Sequence, residues 1–200
     1  MAITGHGWEM LVQRLGIQHA DPHDPHAGRL TRTYGSYDVY IDAVRQFGGF
    51  VCESPGPGNP HPAPPHATDW YRIPQGPYPL STQVGDDYSY VTKGYQLEDR
   101  VQRPGVLLLS TAPRSEILIH PGHTPDLFLS SIGCLNPTSA LQPRQCMDFA
   151  DSRDHVIQII ESLKAFSPAS FAAHASVPIP NARVIIVGEP MMDYPASLSS

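Results

Sequence analysis

The sequence predicts a mainly-β domain with one principal helix. Two observations carry this. The 200 residues include 22 prolines and 16 glycines, which cut the chain into short runs joined by turns and long loops. Those runs are rich in β-branched and aromatic residues, and the clearest helical period is that of residues 151–166. An apolar content of 40% suits one globular domain with appended segments.

Residues 1–28 read as an N-terminal extension. Trp8, Met10, Leu11, Val12 and Leu15 fit one short amphipathic helix, and the repeated Asp-Pro-His of residues 21–26 reads as a linker. From residue 29 to 53 the pattern turns to strands. Tyr37-Asp38-Val39-Tyr40-Ile41 alternates with period two, and Gly35 and Gly48-Gly49 break the run. Residues 54–69 carry too much proline for helix or central strand, so they read as a long surface loop, partly polyproline II.

Strand signals resume at Trp70-Tyr71-Arg72-Ile73, turn at Pro74-Gln75-Gly76, and return at Tyr78-Pro79-Leu80-Ser81-Thr82 and Tyr88-Ser89-Tyr90-Val91. Val106-Leu107-Leu108-Leu109 and Glu116-Ile117-Leu118-Ile119-His120 lie close enough in sequence to be neighbours in one buried sheet. The helix of residues 151–166 has Asp151 or Ser152 as its cap. Its apolar face is Val156, Ile157, Ile160, Leu163 and Phe166, and Ser167-Pro168 stops it. Residues 167–200 read as a C-terminal extension: loop to 182, one strand at Arg183-Val184-Ile185-Ile186-Val187-Gly188, and a mobile tail from 189.

The formal charge is −6 and Lys and Arg do not cluster, which excludes nucleic acid as the main partner. No apolar run is long enough to cross a membrane, so membrane insertion is not expected. The first residues lack a basic stretch followed by an apolar one and do not read as a signal peptide. The cysteines are Cys52, Cys134 and Cys146. An odd count argues against a pure disulfide framework. Cys52 and Cys146 could pair and leave Cys134 free, or all three could be reduced thiols.

The chemistry-bearing stretch is Ile117-Leu118-Ile119-His120-Pro121-Gly122, followed by Ser130-Ser131-Ile132-Gly133-Cys134-Leu135-Asn136. An apolar strand delivers a histidine into a Pro-Gly turn, and a small polar loop then presents a cysteine after a glycine. A thiol needs a base to act as a nucleophile, and histidine is the usual one. Cys134 and His120 are therefore the candidate nucleophile and base. Gly133 allows a tight bend, and the N–H groups around Gly133 and Cys134 are candidate oxyanion donors. Arg114 is a candidate carboxylate ligand. Ser131 and Asn136 are candidates to hold the loop or meet substrate, and His123 is a second candidate base.

Ser131-Ile132-Gly133-Cys134-Leu135-Asn136 resembles the Ser-His-Gly-Cys signature of the L,D-transpeptidase (YkuD-type) domain, with Ile132 in place of its histidine. Ile117-Leu118-Ile119-His120-Pro121-Gly122 resembles that family's strand ending in the catalytic histidine, and Ile73-Pro74-Gln75-Gly76-Pro77-Tyr78-Pro79-Leu80 is similar to a turn that precedes the catalytic part in related domains. The three elements occur in the family's order over roughly residues 29–140. The separation of His120 from Cys134 is shorter than the family's, and Pro121 stands where Gly or Ser is usual. These features match divergent relatives: phage-associated domains and interbacterial toxins delivered by type VI secretion.

The resemblance implies a β-sandwich or barrel-like fold spanning residues 29–166. It also implies cysteine acyl transfer on peptidoglycan stem peptides, to water (L,D-carboxypeptidase) or to an amine (L,D-transpeptidase). It implies no cofactor, and action in a periplasm or at a cell wall after non-classical export. An immunity protein or a secretion apparatus would be further partners. Two other readings stay open. His61, His66, His120, His123 and Cys134 are zinc-ligand types, and the domain could bind peptidoglycan without cutting it, with the Pro-rich loop as a docking segment.

Overall fold

The computed structural model describes residues 2–21, 23–24, 31–55, 72–83, 105–112, 114–124, 126–131, 133–172 and 175–190. Most of the Pro-rich loop, Trp70-Tyr71, the expected strand at residues 88–91, Ile132, and the tail beyond 190 lie outside them.

Eight strands form one sheet: β1 (Trp8–His19), β2 (Thr31–Ile41), β3 (Val44–Glu53), β4 (Gly76–Gln83), β5 (Gly105–Leu108), β6 (Ile117–Ile119), β7 (Asn136–Thr138) and β8 (Pro178–Val187). Their order is β6-β5-β4-β8-β1-β2-β3-β7. The two end strands approach each other. Ile119 bridges Leu135 in parallel. The His120 N–H donates to the Leu135 carbonyl at 3.1 Å, and the Leu135 N–H to that of Leu118 at 2.9 Å. The sheet is thus a nearly closed barrel. The expectation of a mainly-β fold with one main helix holds, in its barrel-like form.

The expected N-terminal helix is instead β1. Trp8, Met10 and Val12 are fully buried, which is a two-residue period. The same apolar residues also fit a helical spacing. Pairing decides between the two: β1 runs antiparallel to β2 and parallel to β8. The divisions expected near residues 28 and 166 do not separate layers, because β1 and β8 are neighbours inside the sheet. Residues 167–182 are not all loop, since a short helix α2 (Pro168–Ala172) and the start of β8 fall there.

Gly48 and Gly49 do not break their strand. A Cβ on Gly49 would sit 2.8 Å from His155 Cε1 and 2.9 Å from Tyr37 Cε1, so the absence of a side chain lets the helix approach β3. Val106-Leu107-Leu108 and Ile117-Leu118-Ile119 pair antiparallel, as neighbouring strands.

The principal helix, α1 (Phe149–Phe166), begins two residues earlier than the sequence suggests. Asp148 is its cap, accepting the Asp151 N–H at 2.9 Å. Asp151 and Ser152 do other work: the Ser152 hydroxyl donates to the Pro137 carbonyl and accepts the Gly122 N–H at 2.8 Å. Val156, Ile159, Ile160 and Leu163 join Trp8, Met10, Tyr37, Val39, Leu80 and Val184 in one apolar core. Trp8 Nε1–H donates to Ser162 Oγ at 2.9 Å, which satisfies its buried polar atom.

Toward the far end of β1 the interior holds charge. Arg14 donates to both Glu53 carboxylate oxygens at 2.9 and 2.8 Å, and to the Ile73 carbonyl at 2.7 Å. Glu189, expected in a mobile tail, accepts from Arg14 at 2.7 Å and from Arg72 at 3.0 Å.

Candidate active site

The seam that closes the barrel also places the candidate nucleophile and base. Ile119 and Leu135 are ladder partners and both point into the core. Side chains alternate along a strand. Leu118 and His120 on one strand, and Cys134 and Asn136 beside them, therefore share the opposite face.

His120 is buried, 7% exposed. Its Nδ1 lies 2.9 Å from the Pro121 carbonyl oxygen. A carbonyl only accepts, so the hydrogen is assigned to Nδ1 and the lone pair to Nε2. Asn136 is fully buried, and its Nδ2 donates to the His120 carbonyl at 3.0 Å and lies 3.3 Å from Nδ1. Its Oδ1 meets no donor among the described residues. Burial pushes the His120 pKa below 6.5, against the opposing pull of the Pro121 carbonyl. The imidazole is neutral at pH 7 and can take a proton.

Cys134 is partly exposed. Its Sγ accepts the Leu118 N–H at 3.3 Å and faces the Glu116 carbonyl at 3.6 Å. Burial raises the thiol pKa; the Leu118 N–H, Ser131 and the Arg114 charge pull it down, and Glu116 adds to the rise. The resting pair is thus neutral thiol and neutral imidazole.

Ser131 organises the cysteine loop. Its hydroxyl donates to the Cys134 carbonyl at 2.8 Å and accepts the Gly133 N–H at 2.9 Å. The Gly133 N–H is therefore committed within the loop, contrary to its expected role as an oxyanion donor. The Cys134 N–H is the remaining candidate. Gly133 is needed for space: a Cβ there would lie 2.9 Å from both Arg114 Nη2 and Ile117 Cδ1. The Arg114 guanidinium accordingly lies across the turn that presents the thiol.

His123 is near His120, ring centroids 6.0 Å apart. Its Nδ1 lies 3.2 Å from the Thr124 carbonyl, on the exposed side. The fixed position belongs to His120. The segment between them and the cysteine is clamped to the barrel wall: Arg32 stacks 4.0 Å over the Phe128 ring and donates to the Phe128 carbonyl at 3.0 Å. His61 and His66, the other candidate zinc ligands, lie outside the described residues.

None of the three cysteines is in a disulfide, so Cys52 and Cys146 do not pair. Cys52 is fully buried, and the Cys146 thiol donates to Asp24 at 3.3 Å.

Three participants had no sequence signal. The Pro121 carbonyl is a backbone group, and Ser54 is 77 residues from the loop it touches. Glu116 owes its place to a left-handed backbone, φ +57°, uncommon for a side-chain-bearing residue.

No family model matches the chain, and no curated protein or solved structure matches it. The site must be read from its own chemistry: a thiol and, on the same face of the seam, a neutral imidazole held by a backbone carbonyl.

Proposed function

We propose that this chain is a cysteine-dependent acyl-transfer enzyme acting on peptidoglycan stem peptides. The observation that carries the acyl-transfer reading is that Cys134 and His120 flank the Ile119–Leu135 bridge on one face of adjacent strands, the imidazole held by Pro121 and Asn136. The substrate class rests on the resemblance of the His120 strand and Cys134 loop to L,D-transpeptidase motifs.

In the first step Nε2 of His120 takes the thiol proton as Sγ bonds to the amide carbon. The Leu118 N–H steadies the sulfur as charge develops, and the Cys134 N–H is the candidate donor to the carbonyl oxygen as it becomes negative. The intermediate collapses, the C–N bond breaks, and the leaving amine takes the proton from His120. Water or an amine then attacks the thioester and His120 accepts its proton; the C–S bond breaks, and His120 returns the proton to sulfur, which regenerates the Cys134 thiol. Water gives a carboxypeptidase and an amine a transpeptidase. Every group these steps use belongs to the chain.

A wall substrate places the working enzyme in a periplasm or at a cell wall. The likeness of the motif to type VI-delivered toxins extends the proposal to an exported antibacterial effector, with an immunity protein as its partner.

The test is mass spectrometry of muropeptides incubated with wild type and Cys134→Ala. Wild type is expected to convert tetrapeptide stems to shortened or exchanged products, and Cys134→Ala to leave them intact. Equal products from both would remove the cysteine-enzyme reading.

A further inference from the structure

We propose that Ser54 is a positioning residue for Cys134, and that it ties the cysteine loop to the buried charge cluster at the far end of β1. The inference rests on Cys134 being the nucleophile of the proposed reaction.

Ser54 follows β3 and is completely buried. Its hydroxyl donates to the Ser131 carbonyl at 3.3 Å. Ser131 is the residue whose own hydroxyl holds both Gly133 and Cys134. Ser54 thus grips the loop at the point from which its geometry is set, across 77 residues of sequence.

Ser54 is itself held. Its carbonyl accepts the Thr33 hydroxyl at 2.9 Å, and Thr33 Oγ1 accepts from Arg72 Nη1 at 2.9 Å. Arg72 is 1% exposed and reaches Glu189 and the Pro190 carbonyl. The preceding residue, Glu53, is fixed by two hydrogen bonds from Arg14. A continuous line runs Arg72–Thr33–Ser54–Ser131–Cys134, with every member but the thiol itself well buried or held by two partners.

The line has a chemical consequence. Sγ is steadied by the Leu118 N–H of the neighbouring strand, at a length of 3.3 Å that leaves little slack. The Cys134 N–H, the candidate oxyanion donor of the proposed reaction, belongs to the same loop. Both depend on the loop staying seated against β6, and the grip of Ser54 on Ser131 seats it.

The test follows the thiol and needs no substrate. Wild type, Ser54→Ala and Ser54→Thr are alkylated with iodoacetamide across a pH series, and each cysteine is followed by peptide mass spectrometry. Ser54→Ala is expected to slow Cys134 labelling at pH 7 by roughly fivefold, the worth of one hydrogen bond. It is also expected to move the midpoint of the Cys134 pH–rate curve upward, with Cys146 unchanged. Ser54→Thr keeps the hydroxyl and is expected to restore both.

A Cys134 rate and midpoint unchanged in Ser54→Ala overturn the proposal. Buried Cys52 reports the fold, because it is labelled only if the barrel opens. Should Ser54→Ala open it, Thr33→Val tests the line from its far end, and unchanged Cys134 chemistry there is equally fatal. Altered labelling without turnover of stem peptides would instead sink the proposed reaction and leave the positioning role standing.

Discussion

At the scale of single residues, three thiols share one chain and differ in their surroundings. Burial pushes the Cys52 thiol up to about 11, with the Arg32 charge opposing. Burial and the Asp24 carboxylate push Cys146 up to about 11. Burial raises Cys134 too, but Leu118, Ser131 and Arg114 oppose the rise, and in the proposed reaction His120, on the same face of the seam, takes the proton. Iodoacetamide at pH 7 should therefore label Cys134 first, and His120→Gln should slow that labelling by at least roughly tenfold. Equal slow labelling of all three would favour a binding module over an enzyme. The pH dependence has a definite sign. His120 is held below 6.5 by burial, and it stops acting as a base only as pH falls through that lowered value. The acid limb of kcat/KM is expected below pH 6.5, and a limb at or above pH 7 would contradict the assignment of His120.

At the scale of elements, α1 owes its seat to its first turn. Asp151 accepts from the Ser139 N–H at 2.8 Å, the Ser139 hydroxyl at 2.6 Å and the Thr138 hydroxyl at 3.1 Å. Burial raises the Asp151 carboxyl, but the hydrogen bonds from Ser139 and Thr138 and the nearby His155 outweigh it and hold the pKa below 3.8. A carboxyl whose folded pKa is depressed stabilises above its unfolded value and loses that contribution as pH falls through the folded one. Asp151→Asn should cost about 1 kcal/mol at pH 7. It should also flatten the fall of Tm below pH 4, read by thermal unfolding across a pH series. The helix itself was legible from its apolar period, since Val156, Ile160 and Leu163 are buried as expected. So were the alternation of Tyr37 and Val39 and the pairing of the two runs before His120. The first strand was not, because Trp8, Met10, Leu11, Val12 and Leu15 satisfy both periods and only pairing with β2 and β8 decides. Of the side chains the sequence pointed to, Asn136 meets His120, Ser131 meets the Cys134 backbone, and Arg114 lies over Gly133. The sequence could not point to a backbone carbonyl such as that of Pro121, nor show that Ser131 would claim the Gly133 N–H.

At the scale of the molecule, closure of the barrel depends on few contacts at the seam and on a charged interior. Among the described residues the seam is one bridge between Ile119 and Leu135, too short to be read from any periodicity, yet it sets His120 and Cys134 on one face. The interior end depends on Arg14 and Glu53, whose side chains are both fully buried. Such a pair is costly to desolvate and costlier to break, because removing one partner strands the other charge. Glu53→Gln leaves Arg14 facing Glu189, which is 35% exposed at its side chain and so screened by water. The single change should therefore cost about 3–5 kcal/mol in urea unfolding. The double variant Arg14→Met with Glu53→Leu removes both charges and fills the same space, so it should regain most of that loss. If the double variant is instead as unstable as the single one, the pair is not the main contribution. The hydrogen bonds from Arg14 to Ile73 and Glu189, which tie β1 to the segments before β4 and after β8, would then be what holds this end of the barrel.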